Sequence, residues 1–282
     1  MGLAGAGEIV AAARAAGVGA GSFNVVGLEY AEAIVAGAVS AGAPVILQIS
    51  ENCVKYHGAV EPVVTAALAV AGAAGQPVAV HLDHATSAEL VRAAVRAGTG
   101  SVMFDASVLG YGANVDATAE LADWCHDRGV WVEAELGEIG GKDGVHAPGA
   151  RTRPDEAAAY VAATGIDALA VAVGSSHAML SRDARLDLEL IREISAVVPV
   201  PLVLHGSSGV PDDLLAEAVR AGMTKINIAT QLNKVFTSAV RDHLSSDLHV
   251  VDPRKYLSAG RQAVTAEVAR LLGVLGASEA AL

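Results

Sequence analysis

The chain has 282 residues, 52% of them hydrophobic, and a formal net charge of −12 from 19 Lys+Arg against 31 Asp+Glu. That length suits one large domain with a sizeable core, and the acidic balance argues against broad nucleic-acid binding, so an anionic ligand would need a local pocket. Two cysteines, Cys53 and Cys125, do not make a disulfide scaffold and no basic, Leu-rich leader is visible, so a cytoplasmic protein with no membrane segment is expected.

Taken in chain order, apolar runs recur at 22–25, 45–50, 78–82, 101–104, 130–135, 168–173, 202–205 and 225–228. Their continuous aliphatic character is that of parallel strands buried on both faces. Helix-period segments separate most of them, at 29–41, 87–97, 114–128, 154–164, 186–197 and 211–221. Thr86-Ser87, Arg153-Pro154 and Val210-Pro211 mark starts, and Gly42, Gly98, Gly129, Gly165 and Gly222 mark ends. The Ala- and Val-rich stretch 63–75 is too short to span a bilayer and stops at Gln76-Pro77, so it reads as another helix.

Eight strands alternating with helices predict a (β/α)8 TIM barrel, one domain over 1–282 with a helical C-terminal extension from about residue 252. An open doubly wound sheet is the alternative, but the G-x-G-x-x-G that should follow its first strand is missing. Each run also ends in polar residues: Asn24, Ser50, Asp83 with His84, Asp105, Glu135, His177, His205 and Asn227. A barrel gathers such ends round one mouth, whereas an open sheet spreads them.

Three of these ends carry a histidine, and a costly polar group at the end of a buried strand needs a partner. His84, His177 and His205 are therefore candidate ligands of one Zn²⁺, with a coordination position left for substrate. His81, on the same run as His84, belongs behind the ligands, and Glu133, a layer below Glu135, reads as structural. Asp83 either exchanges a proton with a substrate hydroxyl or orients an imidazole. Asp105 and Glu135 either hold a second cation position or surround the first. Gly206-Ser207-Ser208-Gly209 and Asn227-Ile228-Ala229-Thr230 follow the seventh and eighth runs, where barrels cradle phosphate on backbone N–H groups. The Gly-rich, charged stretch 137–153 has the length and composition of an active-site lid. No lysine ends a run, and Lys225 reads as the start of one, which disfavours Schiff-base chemistry.

These pieces together resemble the class II, metal-dependent ketose-bisphosphate aldolases, which include fructose- and tagatose-bisphosphate aldolases. The matching segments are Phe23-Asn24, 44–50, His81-Leu82-Asp83-His84, 101–107, 132–137, Gly174-Ser175-Ser176-His177, 202–209, 225–230 and Asp252-Pro253-Arg254-Lys255-Tyr256, nearly the whole chain in order. The resemblance implies reversible cleavage of a ketose bisphosphate to dihydroxyacetone phosphate and an aldehyde such as glyceraldehyde 3-phosphate. It implies catalytic Zn²⁺ on His84, His177 and His205, Asp83 as acid and base on the C4 hydroxyl, and Asp105 and Glu135 at the alternative metal position. Asn24, Ser50 and Asn227 would contact substrate, and Ala178, Gly206, Ser207, Ser208, Ile228, Ala229 and Thr230 would hold phosphate, with a monovalent cation nearby. A homodimer or homotetramer is implied, and Arg261 matches loosely an arginine that some members offer across the subunit contact. The chain departs from the family at Ala178, where Gly is usual, and at Lys142-Asp143, where a Glu usually follows the Gly-Gly pair and Asp143 would take its place. These departures keep open a different phosphorylated sugar or sugar acid as substrate, or a non-catalytic sugar-phosphate-binding member of the family.

Overall fold

The computed structural model describes residues 2–136, 151–175 and 181–277. Eight parallel strands close into a barrel in chain order. They are β1 (Ala20–Asn24), β2 (Val45–Ser50), β3 (Val78–Ala85) and β4 (Ser101–Phe104), then β5 (Trp131–Glu135), β6 (Ala168–Ala170), β7 (Leu202–Leu204) and β8 (Met223–Ile228). The barrel seals where Ser22 of β1 pairs with Asn227 of β8. The expected (β/α)8 TIM barrel is the fold.

Side chains alternate between two environments along each strand. In β3, Val78, Val80 and Leu82 join the large core beneath the helices, while Ala79 faces the barrel axis. The same division puts Val132 and Ala134 outside and leaves Glu133 and Glu135 on the axis. β6 is shorter than its apolar run, and β8 begins at Met223, so Lys225 lies within the strand, not at its start.

The helices that wrap the barrel begin where the capping residues stand. Ser87 accepts from the N–H groups of Glu89 and Leu90 at the start of α5 (Ala88–Arg96), and Pro154 opens α7 (Pro154–Thr164). Around them are α2 (Leu28–Ala41), α6 (Tyr111–His126), α8 (Leu188–Val197) and α9 (Asp212–Ala221). The stretch read as a helix near 63–75 is α4 (Val60–Gly72). None of the helices described is long and apolar enough to cross a membrane.

Three further helices had no marked boundary in the sequence, α1 (Ala6–Ala16), α3 (Glu51–His57) and α10 (Thr230–Ser246), while α11 (Pro253–Val274) begins where the helical C-terminal extension is expected. α1 lies across the N-terminal end of the barrel, packing Ala6, Ile9, Val10 and Ala13 on Ala20, Ile46 and Ala79. α11 returns to α2 at very short range. A Cβ on Gly37 would lie 2.7 Å from Val268 Cβ, so only glycine permits that approach. Cys53 and Cys125 are both free and buried.

Candidate active site

β3 delivers two neighbouring side chains to one place, which a regular strand cannot do. The pairing of β3 with β4 shifts register between Leu82 and Ala85, and His84 has φ 50°. A left-handed imidazole residue is uncommon and costs about 1 kcal/mol or more. The bulge turns Asp83 and His84 together into a cavity of about 590 Å³ at the C-terminal mouth of the barrel. Asn24, Ser50, Asp105 and Asn227 line the same cavity.

His205, directly after β7, meets His84 there, with ring centroids 4.6 Å apart and nearly perpendicular planes. Gly206 follows with φ 66°, which swings the chain away from the strand. One ligand atom each of Asp83, His84 and His205 fits within 4.8 Å of the others, the span of a single cation's coordination shell. His84, Asp105 and Glu135 form a second such group sharing His84. A third, deeper group contains His81, Asp83 and Glu133. There a cation is already supplied, because Lys225 Nζ lies 2.8 Å from Glu133.

Glu133 does more than fill the core. Its other oxygen lies 2.9 Å from His205 Nε2. A carboxylate paired with an ammonium can only accept, so His205 donates from Nε2 and presents Nδ1 as its lone pair. His81 is fully buried behind this layer, with Nδ1 3.1 Å from Ser101 Oγ.

Crowded carboxylates dominate the electrostatics. Burial alone would lower the pKa of His84, but Asp83, Asp105 and Glu135 outweigh it and push it up to about 10. Burial tends to raise Asp105, yet the His84 imidazole 3.7 Å away and the hydrogen bond from Ser107 N hold it below the usual carboxylate range. Burial pushes Glu135 well up, with the Asp105 charge adding to it, and burial raises Asp83 despite His84 and Lys225. Asp83 Oδ2 accepts from Gln48 Nε2 at 3.1 Å, while Oδ1 is buried with no hydrogen-bond partner among the described residues. Imidazoles converging among buried carboxylates are a donor set suited to a divalent cation.

The loops after β7 and β8 meet at this cavity. Gly206, Ser208, Ala229 and Thr230 line the cavity. Ser208 Oγ accepts from Ala229 N at 3.3 Å and Gln231 N at 3.2 Å, which ties the first loop to the N-terminus of α10. Ser207 is buried and donates to the Asn227 carbonyl, so its hydroxyl serves the loop junction. The Ile228 side chain is buried in the outer core, away from the cavity.

Three expected site residues, Asp143, His177 and Ala178, lie outside the described residues, as does most of the proposed lid. Arg261 is described, and it pairs with Glu32 at 2.9 Å. Sequence reasoning missed the wall made by α3. Glu51, Asn52 and Lys55 line the cavity, with Glu51 bonded to Lys55 at 2.7 Å and to Thr86 N at 2.7 Å. The Ser50 hydroxyl caps this helix by accepting from Cys53 N at 3.2 Å. A Ser followed by Glu and Lys at i,i+4 spacing was the available signal.

Residues 5–280 match the family model described as class-II fructose-bisphosphate aldolase. Fructose-bisphosphate aldolase of Geobacillus stearothermophilus is 40% identical over 262 residues, 92% of this chain and 91% of the relative. That of Staphylococcus epidermidis is 38% identical, covering 97% of each chain. Among solved structures, the YdjI aldolase of Escherichia coli K12 superposes with a TM-score of 0.85 at 30% identity, over 98% of both chains. With its barrel, its converging mouth and these relatives, the chain belongs to the class-II fructose-bisphosphate aldolase family.

Proposed function

We propose that the mouth of the barrel holds one Zn²⁺ on His84, His177 and His205 and that Asp83 moves the proton on the C4 hydroxyl of a ketose 1,6-bisphosphate. The family is metal-dependent, and its members act on a phosphorylated sugar. The chain is an aldolase of this family, a lyase that reversibly cleaves the C3–C4 bond of a ketose bisphosphate. The observation that carries the residue assignment is the convergence of Asp83, His84 and His205 within a 4.8 Å span.

When bound, the metal supplies Lewis-acid stabilisation for the negative charge that develops as the bond breaks. The protein does the rest. Asp83, fixed by Gln48 at 3.1 Å, keeps Oδ1 available to take the C4 hydroxyl proton and to return it in the condensation direction. Asn24, Ser50 and Asn227 orient the sugar. Backbone groups of Ala178, 206–208 and 227–230 hold the phosphate of the dihydroxyacetone half, so that remote binding keeps the reacting carbons in register. Asp105 and Glu135 form the alternative metal position, and Asp143 serves the proton at C3. A monovalent cation sits near the phosphate. The chain folds as one domain and works as a homodimer or homotetramer in the cytoplasm, readings supported by the family resemblance.

The test pairs metal analysis of the purified protein with product analysis. Incubated with fructose 1,6-bisphosphate or tagatose 1,6-bisphosphate, it should release dihydroxyacetone phosphate and glyceraldehyde 3-phosphate, with about one zinc ion per chain. Release of inorganic phosphate alone would instead mark a metal-dependent hydrolase on the same barrel. Condensing dihydroxyacetone phosphate with a panel of aldehydes, and resolving the products by configuration, identifies the sugar.

A further inference from the structure

The ammonium of Lys225 lies fully buried on the barrel axis, one layer below the mouth. It donates hydrogen bonds to Asn227 Oδ1 at 2.8 Å and Gln48 Oε1 at 3.1 Å, and is ion-paired with Glu133 Oε2 at 2.8 Å. An ammonium cannot accept a hydrogen bond, so each amide must turn its oxygen toward it. The consequence runs outward. Gln48 is left with Nε2 facing Asp83 at 3.1 Å and Asn24 Oδ1 at 2.8 Å. Ser22 Oγ, 2.6 Å from Gln48 Oε1, gives that oxygen a second donor. Asn227 is left with Nδ2 buried and without a hydrogen-bond partner among the described residues, on a residue that lines the cavity.

We propose that Lys225 is a positioning residue that sets the polarity of the amides on this wall, so that Asn227 presents an N–H donor and not a carbonyl to the reacting half of the substrate. The inference rests on the function proposed above. Its physical content is preorganisation: a donor aimed where negative charge develops stabilises the transition state only if it cannot flip. Without Lys225 the Asn227 amide can rotate, and an oxygen turned to the cavity would repel the enediolate. Glu133 shares the same ammonium, so one buried pair holds both the His205 tautomer and the amide polarity.

The test is a double-mutant cycle between Lys225→Met and Asn227→Ala, read as kcat, KM and metal content, with calorimetric binding of a phosphorylated hydroxamate that mimics the enediolate. Lys225→Met should lower kcat about 100-fold with KM within about threefold, and weaken the hydroxamate by a similar factor. In the Asn227→Ala background the same change should cost less than about threefold, because the group it orients is gone. Lys225→Met leaves Glu133 uncompensated, so Lys225→Met/Glu133→Gln, compared with Glu133→Gln alone, serves as the reference pair if the single variant misfolds. Equal losses in both backgrounds, or a folded, metal-loaded variant with unchanged kcat, would overturn the proposal. If wild-type protein neither cleaves a ketose bisphosphate nor binds the hydroxamate, the proposed function has failed instead, and the wild-type arm of each assay reads that separately.

Discussion

The same strands make two unlike ends of one barrel. At the N-terminal end, Ala20, Ile46 and Ala79 face the axis and α1 closes over them with Ile9 and Val10. Toward the C-terminal end, those strands carry Asn24, Ser50 and Asp83 to an open cavity. Between the two, Gln48, His81, Glu133 and Lys225 form a buried polar layer. The difference teaches that stability and chemistry are graded along each strand. Apolar axis residues bring burial at one end, and costly charges are tolerated at the other because each finds a partner or awaits a ligand.

The division can be broken from either end. The largest effect on function is expected for His205→Ala at the mouth, which should remove bound metal and turnover together, as read by elemental analysis and a cleavage assay. Asp83→Ala should follow, with kcat down about 1,000-fold while metal and phosphate binding persist. Loss of metal in that variant would make Asp83 structural and merge the two roles. At the closed end, Ile9→Ala opens a cavity under α1 and should cost about 2–5 kcal/mol of stability in denaturant unfolding, with kcat within about twofold of wild type. A large fall in kcat there would show that the two ends are not separable.

The smallest effect lies on the outer surface. Asp212, at the start of α9, pairs with Arg182 at 2.6 Å and with Arg270 of α11 at 2.5 Å. Partial burial raises its pKa, but the two guanidinium groups outweigh that and lower it. A carboxylate lowered on folding adds stability above its unfolded value of about 3.9, and that stability disappears as pH falls through the lower folded value. Asp212→Asn should therefore melt slightly below wild type at neutral pH, and the gap should close in acid. A gap that stays the same size as pH falls through the lowered folded value would assign the effect to packing.

Much of this was legible in the sequence, for identifiable reasons. The barrel announced itself because strands buried on both faces read as continuous apolar runs, and their polar last residues marked a shared mouth. Asp83 and His84 were recognisable as neighbours at a strand end, but the register shift that turns both inward was not, because nothing local distinguishes His84 with φ 50° from an extended residue. Glu133 and Lys225 could be placed near a strand but not joined, because the two lie on β5 and β8 and meet only across the closed axis. The α3 wall was missed because Glu51–His57 is too short for a helical period to stand out.

The central claim is that a single cation, held by imidazoles from separate strand ends beside Asp83, makes the aldol cleavage possible. It is tested most directly by stripping the protein with a chelator and measuring triose phosphate released from ketose bisphosphate, before and after zinc is returned. The account predicts that release stops in the stripped protein, which stays folded, and resumes with about one zinc per chain. Undiminished release from folded, metal-free protein would contradict it.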